Sequence, residues 1–251
     1  MSTSQEPVVR QSELPMYLIE NLRDEAGAGS RNTIGGHPVL PAGESWPLCY
    51  CGERMVLFFQ LDIPADIPAF GGDHLLVFQC PTHNDAACLK EMQEQLPERY
   101  WEAPQIWQHP GAFWRILLHR DETGPADDVE PHLRPYQLAL LPDAETLTIW
   151  RPAEVSDDAF GEHGIGRQEF KVGGAPSWAQ DPESYQCACG ARLTFLCQIP
   201  ENFGFEKRPD QPEQPDTFNS DQYGLFLGNE VYVLACPARC HPAAAWPVNQ
   251  N

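Results

Sequence analysis

Basic residues are scarce in this chain of 251 residues. Lysine and arginine together number 16 against 36 aspartates and glutamates, so the formal net charge is −20 at pH 7. A charge of that sign is repelled by nucleic acid and by anionic lipid surfaces, which argues against direct binding to DNA, RNA or membranes. The same charge fits two interpretations, plain solubility or attraction of a basic protein partner.

Long apolar runs are absent as well. No stretch approaches the roughly 20 apolar residues that a transmembrane helix needs. The first residues, MSTSQEPVVRQSELP, lack the apolar segment of a secretory signal. We therefore expect a cytoplasmic protein. In such a reducing compartment, clustered cysteines are more often metal ligands than disulfides, and the chain has nine cysteines.

Familiar catalytic signatures are missing too. The sequence has no HExxH stretch, no GxSxG elbow and no HxE followed by PCxxC, and its Gly-Gly pairs lack the spacing of a phosphate loop. The histidines outside the cysteine-rich segments are scattered, and most tryptophans are expected in the core. The sequence thus predicts a protein that is not an enzyme.

What the sequence does contain is an internal repeat. Residues 34–63 align with residues 172–201 without a gap, and each copy continues into an apolar strand, a Cys-Pro pair and a final cysteine. The identical positions in the two copies form these pairs: Gly35 and Gly173, Gly36 and Gly174, Pro38 and Pro176, Cys49 and Cys187, Cys51 and Cys189, Gly52 and Gly190, Arg54 and Arg192, and Gln60 and Gln198.

The expected fold is α+β and β-rich, with two structurally similar repeats that each contain a zinc-ribbon-like hairpin and pack together. The first unit with a middle section spans 1–165, and the second unit spans 166–251. Helices are predicted at Ser12–Arg23 and Asn84–Leu96, and exposed loops at Asp121–Pro131 and Glu206–Gln222. The predicted strands are Met55–Asp62, His74–Gln79, Ala112–His119, Tyr136–Leu141, Leu147–Trp150, Arg192–Ile199, Gly224–Leu227 and Glu230–Ala235.

Each repeat offers four cysteines, and a closed set of four such ligands is typical of structural zinc. One pair lies on a CxCG turn before a strand, and the other pair lies at the end of a second strand. Antiparallel pairing of the two strands would bring both pairs to one end of a hairpin. We predict two structural zinc ions, with ligands Cys49, Cys51, Cys80 and Cys88 in the first site and Cys187, Cys189, Cys236 and Cys240 in the second.

The fourth ligand of the first site has a rival. His83 follows Cys80 at a spacing closer to that of the second copy, but we favour Cys88 because the other copy uses a thiolate. In the same way, His241 could displace Cys240.

Other residues of the repeats have two interpretations. Gly52 and Gly190 are predicted to permit the turn that directs backbone N–H groups at the sulfurs. Arg54 and Arg192 either offset the negative charge of the thiolates or serve solubility. Cys197, the ninth cysteine, is predicted to be a core residue of its strand.

At the level of motifs, the second unit resembles the C-terminal domain of the programmed cell death protein 2 family, through CACGARLTFLCQIPENF and YGLFLGNEVYVLACPARC. The first unit resembles the YwqG-like bacterial family of unknown function, through GGHPVLP and WPLCYCGERMVLFFQLDIP. Eukaryotic members of the former are regarded as chaperones of a small-subunit ribosomal protein. The resemblance therefore implies a non-enzymatic, chaperone-like protein that binds a basic polypeptide, such as a ribosomal protein. The MYND-type zinc finger of some members is not found in this sequence.

Two other functions stay open at this point. One is an immunity-type or regulatory protein that neutralises a cognate toxin. The other is an enzyme with an unrecognised site between the repeats.

Overall fold

The protein is almost entirely β-structure in the computed structural model, which describes residues 8–91, 93–121, 123–151, 166–217 and 219–251. The only helical element in these ranges is a short 3₁₀ helix, Leu225–Gly228. The described residues contain no helix that is long and apolar enough to cross a membrane. The strands are β1 (Val8–Glu25), β2 (Thr33–Ile34), β3 (Val56–Asp62), β4 (His74–Gln79), β5 (Trp114–His119), β6 (Tyr136–Arg151), β7 (Lys171–Gly173), β8 (Thr194–Ile199), β9 (Gly204–Glu206), β10 (Gln222–Gly224), β11 (Glu230–Ala235) and β12 (Ala245–Gln250).

Ten strands form one antiparallel sheet in the order β12-β11-β8-β7-β1-β6-β2-β3-β4-β5, and β9 pairs with β10 separately. The sheet curls until its two end strands approach each other. The Leu118 N–H donates to the Pro242 carbonyl at 2.8 Å, and the rings of Trp114 and Trp246 meet edge to face with centroids 5.6 Å apart. The sheet is thus nearly closed, and the faces of β3, β4 and β11 are buried on both sides.

The strand order is the same when it is followed outward from the central β1–β6 pair in either direction. Going one way, β6 is followed by β2, β3, β4 and β5; going the other way, β1 is followed by β7, β8, β11 and β12. The register agrees as well, because Thr33 pairs with Gln60 as Lys171 pairs with Gln198. The register shifts of β3 and β8 skip Phe58 and Leu196, which are aligned in the two copies. The two halves of the sheet therefore match in strand order and in register.

Both predicted helices are wrong. Ser12–Arg23 lies inside β1, which pairs with β6 along nearly its whole length and with β7. Asn84–Leu96 contains no helix in its described residues, which exclude Met92, and it forms β-bridges to Ile106 and Gln186 instead. In both segments, pairing with distant strands overrides a local helix preference. The described chain is β-rich, and the α part of the predicted fold class is not confirmed.

Most predicted strands are present. His74–Gln79 and Glu230–Ala235 agree to the residue. Tyr136–Leu141 and Leu147–Trp150 are parts of the single strand β6. Gly224–Leu227 is instead the end of β10 and the 3₁₀ helix, and the strand β12 was not predicted.

The loop predictions have mixed support. The described residues of 121–131 contain neither helix nor strand. The second predicted loop, 206–222, connects β9 to β10, so the antiparallel pairing of those short strands ties its two ends together. The domain boundary at 165–166 borders residues outside the described ranges and stays a prediction.

Candidate metal centres

The first centre begins with a tight turn at the entrance to β3. The Cys49 N–H donates to the Glu53 carbonyl at 2.8 Å, and the Gly52 N–H donates back to the Cys49 carbonyl at 2.9 Å. Gly52 has φ +90°, a conformation that side chains with a Cβ rarely adopt. Cys80 directly follows β4, which pairs antiparallel with β3. The hairpin therefore brings the turn and the end of β4 together, as the sequence predicted.

The second centre is built from equivalent hydrogen bonds. The Cys187 N–H donates to the Ala191 carbonyl at 2.8 Å, and the Gly190 N–H donates to the Cys187 carbonyl at 2.8 Å. Gly190 has φ +89°, almost the value of its counterpart. Cys236 directly follows β11, which pairs antiparallel with β8. The expected role of both glycines in these turns is confirmed by their backbone geometry.

Two sets of four side chains converge at these hairpin ends. In each set, the possible ligand atoms all lie within 4.8 Å of one another. The first set is Cys49, Cys51, Cys80 and His83, and the second set is Cys187, Cys189, Cys236 and Cys240. Seven of the eight predicted ligands are therefore members of a cluster.

Cys88 is the predicted ligand that the structure does not bring to the first cluster. The Nδ1 atom of His83 lies 3.5 Å from the Cys49 sulfur and 3.4 Å from the Cys80 sulfur, so His83 holds the fourth position. Cys88 is exposed and lines a groove elsewhere on the surface. The preference for Cys88 is corrected to His83. The spacing already favoured His83, because a side chain only three residues after Cys80 can turn back toward the Cys80 sulfur at the end of β4.

The ligand separations fit a tetrahedral metal ion. With metal–sulfur bonds of about 2.3 Å, the edge of a tetrahedron between two sulfurs is about 3.8 Å, and an edge to a histidine nitrogen is about 3.6 Å. The sulfurs of Cys51 and Cys80 are 3.9 Å apart, those of Cys189 and Cys236 are 3.6 Å apart, and the distances to His83 agree equally well. These separations far exceed the roughly 2.05 Å of a disulfide. The donor sets therefore suit one metal ion each.

Backbone N–H groups favour the thiolate form at both centres. The pKa of Cys80 is lowered to about 5, first by a hydrogen bond from Cys49 and then by the backbone N–H groups of His83 and Thr82. Cys49, which keeps its proton in that hydrogen bond, has a raised pKa. Because thiolates are the metal-binding form of cysteine, these N–H groups prepare the first site for a cation.

The second centre has the same kind of support. The pKa of Cys189 is lowered to about 7, first by the backbone N–H of Ala191. Backbone N–H groups of Cys240 and Ala238 also point at the Cys236 sulfur, although burial raises the pKa of that thiol overall. Backbone N–H groups therefore point at the Cys189 sulfur, which precedes β8, and at the Cys236 sulfur, which follows β11.

Aromatic rings cover the imidazole of the first centre. The ring of Tyr50 lies against His83 with centroids 4.7 Å apart, and its hydroxyl is 2.8 Å from Nδ1 of His109. His109 in turn is 3.3 Å from a carboxylate oxygen of Asp85. This packing fixes the orientation of the His83 ring, because the hydroxyl of Tyr50 is itself held by its hydrogen bond with His109.

The remaining candidates have other roles. His241 stacks on Trp101 with centroids 4.4 Å apart and is not part of the second cluster. Arg54 lies over the ring of Trp46 and pairs with Asp128, at 3.0 Å. Cys197 is fully buried in β8, as predicted for a core residue.

A scan against protein-family models and a search of curated proteins both find no match for this chain. A tetrahedral ion held by all four ligands of either set would have no position left for substrate or water, as is typical of structural metal sites.

Proposed function

We propose that the protein binds two structural zinc ions and acts as a non-enzymatic, chaperone-like binding protein for a basic polypeptide. The observation that carries the metal part is the pair of four-ligand clusters, each at the end of an antiparallel hairpin. Zinc is the metal of choice because sets of four cysteines, or of three cysteines and a histidine, in tetrahedral array are typical of structural zinc sites. Each ion would tie a CxCG turn to the end of a neighbouring strand.

The duplication is part of the same proposal. It is supported by the gap-free alignment of residues 34–63 and 172–201, by the matching strand order and by the matching turns. The amide oxygens of Gln60 and Gln198 also accept from the backbone N–H groups of Val39 and Ser177, each at 2.9 Å. An ancestral unit with one zinc hairpin, repeated once, explains these coincidences together.

The partner is proposed from charge and from resemblance. A net charge of −20 attracts a basic protein and repels nucleic acid. The resemblance of the second unit to the programmed cell death protein 2 family supports a chaperone-like role, with a ribosomal protein as one kind of client. The cytoplasm, where such clients are made, is the compartment that we propose.

Affinity capture tests the binding function. The full-length, zinc-loaded chain is immobilised, exposed to cell lysate at low salt and eluted with a salt gradient, beside a column of an unrelated protein of similar negative charge. We expect a discrete set of basic proteins on the first column only, released as salt rises. Identical eluates from the two columns would leave only generic charge attraction and would overturn the proposal.

A further inference from the structure

A groove of about 510 Å³ runs along the outer edge of the sheet. One wall is formed by described residues of 87–94, the other by residues of 180–185, and β12 lies between them. Trp246 and Val248 of β12 are buried and form the apolar floor. The groove is therefore large enough for several side chains and has both an apolar base and polar walls.

The walls carry charge of one sign. Glu91, Glu94, Asp181 and Glu183 are lining residues, and the described lining contains no lysine, arginine or histidine. The first three of these carboxylates are exposed, and Lys90 is exposed nearby but is not part of the lining. An acidic rim around an apolar floor is complementary to a chain that carries both basic and apolar side chains.

A side chain of β12 is tied to the first wall of the groove. The side-chain oxygen of Asn249 accepts from the Ala87 N–H at 2.5 Å, whereas its Nδ2 atom is buried without a partner. The Nδ2 atom is too enclosed to reach a bound peptide, so Asn249 serves to hold the first wall against β12. Pro247 removes a backbone donor from β12, so addition of a complete strand to this edge is disfavoured.

From these features we infer that the groove binds an extended, basic polypeptide segment. Its arginine or lysine side chains would lie against the carboxylates of Glu91, Glu94 and Asp181, and its small or apolar side chains would rest on Trp246 and Val248. This inference rests on the proposed function and assigns it a site. It differs from that proposal in predicting that charge at the groove matters more than the total charge of the protein.

The test is fluorescence anisotropy with a defined probe. The probe is a short unstructured peptide of alternating arginine and alanine with an N-terminal fluorescein, and its control has glutamine in place of arginine. The groove variant is Glu91→Gln/Glu94→Gln/Asp181→Asn in the zinc-loaded full chain. Glu183 is left unchanged because it accepts hydrogen bonds from Tyr185 and Gln250.

A matched variant controls for net charge. Glu20→Gln/Asp24→Asn/Glu213→Gln makes the same chemical changes at exposed positions away from the groove. We expect the groove variant to bind the arginine peptide about tenfold more weakly than the unchanged chain, and the matched variant less than about threefold more weakly, from typical exposed ion pairs. The glutamine peptide should not bind, and the arginine peptide should be released by salt.

The outcomes separate the two proposals. Equal loss in both variants would mean binding by overall charge, which overturns the groove as the site and leaves the proposed function intact. Unchanged binding of the arginine peptide by the groove variant would also overturn the groove as the site and leave the proposed function intact. No binding of the peptide by the unchanged chain at low salt would overturn both. Calorimetric binding of Ca²⁺ that is lost in the groove variant, without peptide binding, would instead assign the groove to a cation.

Discussion

Replacement of His83 by alanine tests the first metal centre most directly. In the structure its Nδ1 atom lies 3.5 Å and 3.4 Å from the sulfurs of Cys49 and Cys80, close to the tetrahedral edge of about 3.6 Å. His83→Ala removes one of four ligands and leaves three thiolates around the ion. We expect this variant to lose affinity at the first site and to keep the second site intact.

The size of the loss follows from the closed geometry. Changes to residues that only orient a ligand commonly weaken metal binding 10- to 100-fold. Loss of the ligand itself should weaken it by at least about 100-fold, or roughly 2.7 kcal/mol. Structural zinc contributes on the order of 10 kcal/mol to folding, so the remaining three ligands can still hold the ion weakly. His83→Cys, which restores a fourth ligand, should recover most of the affinity.

The assay is zinc competition with a chromogenic chelator, calibrated by elemental analysis. The unchanged chain should hold two zinc ions per chain, one of them released early in the His83→Ala variant. Replacing zinc by cobalt allows the thiolate ligands to be counted, because the intensity of the sulfur-to-cobalt charge-transfer absorption grows with their number. The unchanged chain should show seven thiolates, three in the first site and four in the second. Cys88→Ser is the matched control and should behave as the unchanged chain. Early zinc release from Cys88→Ser, with tight binding retained in His83→Ala, would refute the assignment.

Three further predictions concern stability. Gly52→Ala forces a Cβ into φ +90° and should cost about 1–2 kcal/mol in urea unfolding, whereas Gly124→Ala, in open space, should be neutral. Lys171→Met leaves the buried Glu145 carboxylate without its cationic partner and should cost about 3–5 kcal/mol in denaturant unfolding. Adding Glu145→Gln, which removes the charge but keeps an acceptor for the backbone N–H groups of Arg167 and Ala175, should recover part of that loss, and no recovery would argue against the ion pair as the cause. Burial opposes ionisation of Asp62, but hydrogen bonds from His74 and Arg31 lower the pKa of Asp62 below its ordinary value. Asp62 therefore stabilises the fold above the ordinary carboxyl pKa, and this contribution fades as pH falls. The stability gap between the unchanged chain and Asp62→Asn, measured by chemical denaturation from neutral to acidic pH, should therefore narrow, and a constant gap would contradict the assignment.

The hairpins and seven of the eight members of the two clusters could be predicted because each is specified by a short stretch of sequence. A CxCG turn, an apolar strand and a Cys-Pro pair each specify their own structure over a few residues, and the repetition of the pattern showed that it was not accidental. Phe59 and Cys197, which are aligned in the two copies, occupy the same register in β3 and β8. The choice between His83 and Cys88 was different, because it depends on how the chain folds back after β4.

The wrong helices have a non-local cause. The segment Ser12–Arg23 contains many good helix formers, but β6 and β7 flank it on both sides and satisfy its backbone groups. Asn84–Leu96 is likewise drawn into bridges with Ile106 and Gln186. Neither partner lies close in sequence, so propensity alone could not reveal them. The acidic groove was missed for the same reason, since its walls come from segments far apart in the chain.

The central position of β1 has a consequence for the order of folding. Its partners β6 and β7 are made only after most of the first half of the chain has left the ribosome. The hairpin of β3 and β4, together with Cys49 and His83, involves short loops and can close earlier. If the first cluster binds an ion as proposed, that ion can therefore enter a nascent chain in which the middle of the sheet has not yet formed. The second cluster is complete only after Cys240 has been made, long after His83, so the two chemically similar sites would be loaded at different stages of synthesis.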